Sequence, residues 1–422
     1  MDRKLYESYV QILKEELIPA MGCTEPIALA YAAAKAQELL GQPAKHVRVQ
    51  ASGSIIKNVK SVVVPNTGHM KGIAVAAAAG IVAGDPSLEL EVISKVGPEQ
   101  VKEISKFIEE VPVDVEALDD GHVFDILVTL KGESSSSAVR ISDFHTNIVY
   151  LEQNGKVLLD NTASECEENL TDRSVMSMEG ILEFATTANL DDVKDVLQRQ
   201  IDYNWAIAQE GMAGNYGANI GKVMLKVNGD SLRNRACAMA AAGSDARMDG
   251  CELPVVINSG SGNQGMTASI PVIVYAKEMG ATQEQLYRAL LVSNLTAIHQ
   301  KTGVGRLSAY CGAVCAGAGA GAGIAYLHGA SQEEITQTVV NALAVASGMI
   351  CDGAKASCAA KIAVSVNGGI LGYEMFIQGQ KFCTGDGIVG VEVEETIGNV
   401  GRLASEGMYD TNKEIIGIMT GK

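Results

Sequence analysis

Three cysteines are the residues of this 422-residue chain whose type and spacing first suggest chemistry: Cys311, Cys351 and Cys358. Cys311 stands in RLSAYCGAVCAG, and CDGAKASC holds Cys351 and Cys358 seven positions apart around a glycine, in a loop able to fold back on a metal. The spacing is neither CxxC nor that of a zinc ribbon, so it leaves metal binding and core packing both open. Thiolates are the favoured ligands of iron-sulfur clusters, and three of them leave one iron free to act as a Lewis acid on a substrate atom. For Cys166, Cys237, Cys251, Cys315 and Cys383 the reading is packing, because a free thiol behaves as a small hydrophobe. Cys315, one helical turn after Cys311, would face the same site if that segment is helical.

A second feature is SGSGNQG at 259–265, where glycines free the backbone N–H groups and Ser259, Ser261, Asn263 and Gln264 flank them. Such a segment suits a carboxylate, the plain alternative being an ordinary glycine turn. Neither GxxxxGK[ST] nor a strand-turn-helix GxGxxG occurs, so ATP and NAD are not implied. Thr24 and Glu25, beside Cys23, read as caps of the following helix or as substrate contacts.

The elements that must position these residues fall into two groups. Helical spacing marks 4–17 and 25–40, separated by IPAMGCTEP, which puts Cys23 at a helix start. Strand-like runs follow at 46–52, 61–65, 123–130, 138–142 and 147–160, the last holding the hairpin signal Asn154-Gly155, with helices at about 70–83 and 98–109 between them. From about 174 the strand signals fade into helical windows at 176–187, 191–211, 214–228, 267–279, 283–300, 306–328, 332–347 and 354–378. The expected fold is α+β: an N-terminal α+β domain, 1–173, and a nearly all-α domain, 174–422, packed through small residues such as AGAGAGAG near 316–323. Helices 4–17 and 25–40 are free in this scheme to pack on the second domain.

Composition narrows the function. A net charge of -17, from 33 Lys+Arg against 50 Asp+Glu, opposes a nucleic-acid partner, which needs a concentrated basic surface. The charged, amphipathic N-terminus has no signal-peptide core and the apolar stretches are too short and too rich in Gly and Ala to span a bilayer, so a cytoplasmic protein without a membrane partner is expected. Nine cysteines there are not a disulfide framework. Monomer and homo-oligomer stay open.

Six strings taken together resemble the L-cysteine desulfidase family, related to the α-chain of iron-sulfur L-serine dehydratases: MGCTEPIALA, KNVKSVVVPNTG, HTNIVYLE, SDARM, SGSGNQGMTA and CDGAKASCAAK. The resemblance implies a [4Fe-4S] cluster on Cys311, Cys351 and Cys358, with Cys23 as catalytic base or temporary fourth ligand. A thiolate at Cys23 is reasonable at a helix start beside a metal. Glu25, Lys57, Asn58, His145 and Lys361 lie in matching strings and are candidates for substrate contact, whereas His69, His122 and His299 lie outside them and read as structural. The implied reaction is β-elimination from a small amino acid: L-cysteine to sulfide, ammonia and pyruvate, without pyridoxal phosphate. The alternatives are L-serine dehydration and a non-catalytic protein binding metal or an amino acid. Related dehydratases can supply a C-terminal cysteine to the cluster; GIMTGK offers none, which points to the desulfidase branch.

Overall fold

The computed structural model describes residues 1–118, 122–162, 170–305 and 307–421. Helix α1 (Arg3–Glu16) starts at Asp2, whose side chain accepts the Leu5 N–H. A three-residue strand β1 (Pro19–Met21) leads to α2 (Thr24–Leu40), which ends at Gly41 with a left-handed φ of 67°. Strand β2 (His46–Ser52) runs directly into α3 (Gly53–Val59), followed by α4 (Ile73–Ala83) and α5 (Pro98–Glu110). Then come β3 (Val113–Leu118), β4 (Asp125–Lys131), β5 (Ser136–Ser142), β6 (Ile148–Gln153) and β7 (Lys156–Asp160).

These strands form a sheet of order β3-β2-β4-β5-β6-β7, antiparallel except for the β2–β3 pair, which the helical crossover α3–α5 joins. Alternation sets its face: Val47, Val49 and Ala51 of β2 are fully buried while Arg48 between them is exposed. Helix α2 lies between this sheet and α4 and is buried nearly all round, consistent with its run of alanines. Backbones touch there, since a Cβ on Gly80 would lie 2.1 Å from the Ala30 carbonyl oxygen.

Beyond 174 the described chain is helical apart from one short strand. Helices α6 (Met178–Thr187), α7 (Lys194–Ala213), α8 (Ile220–Asn228) and α9 (Leu232–Met248) precede β8 (Pro254–Val256), which pairs antiparallel with β1. There follow α10 (Gly262–Met279), α11 (Gln283–Val304), α12 (Gly312–Leu327), α13 (Gln332–Ala346), α14 (Cys358–Ile377), α15 (Val393–Arg402) and α16 (Tyr409–Thr420). No helix of the described residues is long and apolar enough to cross a membrane.

The fold is α+β, as expected, with several local corrections. Residues 61–65 are not a strand: only Val63 makes an isolated bridge, to Lys71, because Pro65 lacks an N–H and Asn66 takes a left-handed φ of 59°. The β-branched run is buried by packing rather than pairing. Helix α8 starts at 220, not 214, because Gly217 and Asn219 are both left-handed. Helices α12 and α14 begin at 312 and 358 rather than 306 and 354, whereas α10 reaches back to 262 and so takes in most of SGSGNQG.

Glycine alternation in α12 has a packing cause. A Cβ on Gly317 or Gly321 would collide with the backbone of α14, and one on Gly319 with the backbone of α11, so α12 is in backbone contact on two faces. Gly369 of α14 completes one contact: its Cβ would lie 2.0 Å from the Gly317 carbonyl oxygen. Overpacking against backbone that cannot yield costs about 3 kcal/mol, so Gly369→Ala should lower the thermal midpoint by several degrees. Gly398→Ala, on exposed helix with nothing near the added methyl, should leave it unchanged or higher. Equal midpoints for the two variants in a melting experiment would contradict the packing account.

Candidate active site

The short β1–β8 ribbon joins two segments more than two hundred residues apart. Met21 pairs with Pro254 and Pro19 with Val256, so the turn after β1 and the segment after β8 emerge on neighbouring paths. Gly22 makes that turn with φ 57°, and a Cβ there would strike the Pro65 ring at 2.0 Å, so glycine is required twice over. Cys23 then occupies the N-cap of α2, and Thr24 Oγ1 lies 3.0 Å from the Gly260 carbonyl oxygen, tying the helix start to the loop after β8.

The three clustered cysteines are placed by a second pairing. Tyr310 and Ile350 form an isolated bridge, in which the Cys311 N–H donates to Met349 O at 2.9 Å and the Cys351 N–H to Ala309 O at 2.6 Å. Cys311 is thereby the N-cap of α12, Cys351 opens the loop before α14, and Cys358 is the first residue of α14. The loop lies flat on α3, since Gly353 (φ 92°) approaches the Lys57 carbonyl so closely that a Cβ would sit 2.3 Å from it. Lys57 Nζ donates to Cys351 O at 3.2 Å and to Asn412 Oδ1 at 2.8 Å. Asp352 is gripped by Lys355 and Lys361, and Lys361 Nζ also donates to Ile350 O at 2.8 Å.

One cavity, of about 830 Å³ including its mouth, is lined by Cys23, Cys311, Cys351 and Cys358 together. It is also lined by Glu25, Asn58, His145, Ser259, Ser261, Asn263, Gln264 and Lys361, so most of the residues singled out in the sequence border one space. His145 enters from the β5–β6 connection and sits edge-on to Phe124, centroids 4.7 Å apart. Lys57, buried behind the cysteine loop, is not among the lining residues. Cys315 does not face the cavity; it is fully buried in the core. Cys237 and Cys251 are buried and Cys383 is exposed, while Cys166 lies outside the described residues.

The helix starts α2, α10, α12 and α14 border this space, and among the described residues none of the four is capped by a side chain. Helices α1, α3, α6, α9, α11 and α13 carry an Asp, Ser or Thr cap, while α4, α7, α8, α15 and α16 lack one too, so what sets these four starts apart is their convergence on the cavity. Uncapped helix starts offer free N–H groups and partial positive charge to an anion or thiolate. The cysteines respond to one another: burial and then Cys351 push the Cys311 thiol up, with Cys358 adding to the effect and Lys361 opposing it. Burial also raises Cys358, with the same neighbour Cys351 contributing.

Cys23 is buried as well as placed at a helix start. Burial pushes its thiol well up, Glu25 adds to the rise, and Arg247 opposes it. The helix start does not outweigh removal from water at a side chain 2% exposed. The Sγ–H instead donates to Glu25 Oε2 at 3.1 Å, and Asn58 Nδ2 donates to Glu25 Oε1 at 3.1 Å. Glu25 is thus a held carboxylate beside the thiol.

Arg247 was missed from the sequence. It ends α9, a helix that the periodicity did not reveal, and reaches the cavity wall with Nε donating to Gly22 O at 2.8 Å and one terminal nitrogen to Asn263 Oδ1 at 3.1 Å. Its presence in the string SDARM was the only signal available.

Comparison with known proteins gives a match to the model of the serine dehydratase alpha chain over residues 87–417. That span holds Arg247, the 259–265 segment and the three clustered cysteines; Cys23, Glu25 and Asn58 precede it. Similar proteins include a UPF0597 protein of Desulfitobacterium hafniense, 55% identical over 99% of this chain and 97% of its own length. Another, from Lachnoclostridium phytofermentans, is 48% identical over 98% of this chain and all of its own. A UPF0597 protein of Bacteroides fragilis is 38% identical over 98% and 97%.

Proposed function

The chain belongs to the serine dehydratase alpha-chain family, and from that premise we propose that it is an iron-sulfur lyase that eliminates sulfide from L-cysteine. Family membership supports dehydratase-like chemistry; the choice of L-cysteine is the finer step. The observation that carries the iron-sulfur lyase reading is the convergence of Cys23, Cys311, Cys351 and Cys358, from distant parts of the chain, on one cavity beside the 259–265 segment.

Cys311, Cys351 and Cys358 would hold a [4Fe-4S] cluster. The donor set is soft, and four uncapped helix starts favour the negative charge of thiolates. Among the described residues no three His, Cys, Asp or Glu side chains are drawn together closely enough for a single ion, and a cluster is wider than one ion. Bound there with one iron free of protein ligands, the cluster supplies a Lewis acid for the leaving group.

The remaining work falls to side chains. A base must remove a weakly acidic α-proton, and Cys23 takes that role as thiolate, its own proton passing to Glu25 Oε2 at 3.1 Å. Asn58 fixes the orientation of Glu25. The C–H pair becomes the Cα–Cβ double bond as the C–S pair leaves with sulfur. Aminoacrylate then hydrolyses to pyruvate and ammonia. Ser259, Ser261, Asn263 and Gln264 line the side where the amino-acid end would rest, with His145 and Lys361 also on the wall.

L-Serine dehydration is the second reading, favoured by the description of the matched family itself. The same groups would act, with hydroxide leaving. Sulfide and pyruvate should be measured side by side on anaerobically reconstituted protein with L-cysteine and L-serine. Equal amounts of sulfide and pyruvate from L-cysteine are expected. Pyruvate from L-serine alone would replace the first reading by the second, and no product from either would remove the lyase reading.

A further inference from the structure

Arg247 is a buried cation to which no carboxylate of the described residues is paired. It is 2% exposed, and it donates hydrogen bonds to two neutral oxygens, Gly22 O and Asn263 Oδ1. Among the described residues no carboxylate forms an ion pair with it, whereas Arg140 and Arg233 each have one and Arg173 has two. A guanidinium that served only to hold two neutral acceptors would not need its charge, and burying that charge unpaired is unfavourable. With Cys23 a neutral thiol that donates to Glu25, an anionic ligand is the natural counter-charge.

The surroundings identify its class. Gly262, the first residue of α10, leaves the guanidinium room: a Cβ there would lie 2.5 Å from Nε. The eighteen-residue helix α10 therefore starts beside Arg247 and is not capped by a side chain, adding N–H donors to the same place. Two residues on, in the same first turn, Gln264 is 7% exposed, borders the cavity, and leaves its Oε1 without a partner among the described residues. A guanidinium and helix N–H groups call for a carboxylate; an orphan amide oxygen nearby calls for an N–H donor such as an ammonium. Both groups occur together on the backbone end of an amino acid.

We propose that Arg247 anchors the α-carboxylate of the substrate, so that the site selects small α-amino acids with a free carboxylate, the ammonium turning to Gln264. This rests on the lyase reading for its placement beside the cysteines, but its test does not require turnover. Bidentate guanidinium geometry is lost in Arg247→Lys and the charge as well in Arg247→Gln.

Calorimetric binding of L-alanine, which has no leaving group, and of L-alaninamide, which has no carboxylate, should be compared on the reconstituted full chain. Wild type is expected to bind L-alanine and to discriminate against the amide. Arg247→Gln should bind L-alanine roughly tenfold to a hundredfold more weakly and lose the discrimination, with Arg247→Lys between them. Unchanged L-alanine affinity in a folded Arg247→Gln protein overturns the assignment. So does wild type that binds the amide as tightly as the acid, a result that holds even if the glutamine variant does not fold. Arg247-dependent binding in a protein that yields no pyruvate sinks the lyase reading and leaves the anchor standing; normal turnover with Arg247-independent binding does the reverse.

Discussion

Alanine at Cys311, Cys351 or Cys358, one position at a time, is expected to abolish the broad iron-sulfur absorption of the anaerobically reconstituted protein and to reduce pyruvate formation to background. The effect should be nearly complete at each position, because three thiolates already leave one iron without a protein ligand and two would leave a second exposed to solvent. The fold should survive. Cys311 is the N-cap of α12 but makes no side-chain cap bond, and its backbone pairing with Met349 does not involve sulfur. Cys351 is likewise held through its backbone and the Lys57 contact to its carbonyl. Cys315→Ala is the control: it lies one turn from Cys311 yet points into the core, so absorption and turnover should both persist at a modest stability cost of about 1 kcal/mol for a small buried group. Undiminished absorption in any one of the three ligand variants would remove that residue from the cluster, and undiminished absorption in all three would sink the cluster itself.

The α+β fold and most helices were legible because their signals are local. Apolar spacing within one element marks the windows 283–300 and 332–347 that become α11 and α13, and Asn154-Gly155 marks the β6–β7 hairpin. Helix α9 was not legible. Its sequence LRNRACAMAAAGSDARM alternates small and polar residues without an apolar stripe, because small side chains bury it against neighbouring backbones. With α9 went Arg247, since nothing local says that this arginine is buried. Strands β1 and β8 have three residues each, too few for an alternating pattern, yet they bring Cys23 to the 259–265 segment. The Tyr310–Ile350 bridge that sets Cys311 beside Cys351 is equally invisible in one dimension. Residue types nominated the site; non-local pairing assembled it. At Cys23 the helix start was visible in the sequence and the burial that raises the thiol was not.

Cys23→Ala gives the second large effect, and it should differ in kind from the first. If Cys23 is the base, kcat falls by roughly a hundredfold to ten-thousandfold, the usual contribution of a positioned base, while the iron-sulfur absorption stays at the wild-type level. KM should move little, because the carboxylate and ammonium contacts lie on α9 and α10 rather than on α2. Cys23→Ser separates acidity from geometry: a hydroxyl can still donate to Glu25, but it is a far weaker acid than a thiol, so turnover should stay near that of the alanine variant. Glu25→Gln should also slow turnover, since the Cys23 Sγ–H then loses the carboxylate 3.1 Å away that can accept its proton. Burial and Glu25 raise the thiol and Arg247 lowers it, so the thiolate depends on groups that the cavity supplies rather than on water. Two results would redirect the assignment. Loss of absorption along with turnover in Cys23→Ala would make Cys23 a fourth ligand, and retained turnover would exclude it as the base and move that role to another group on the cavity wall.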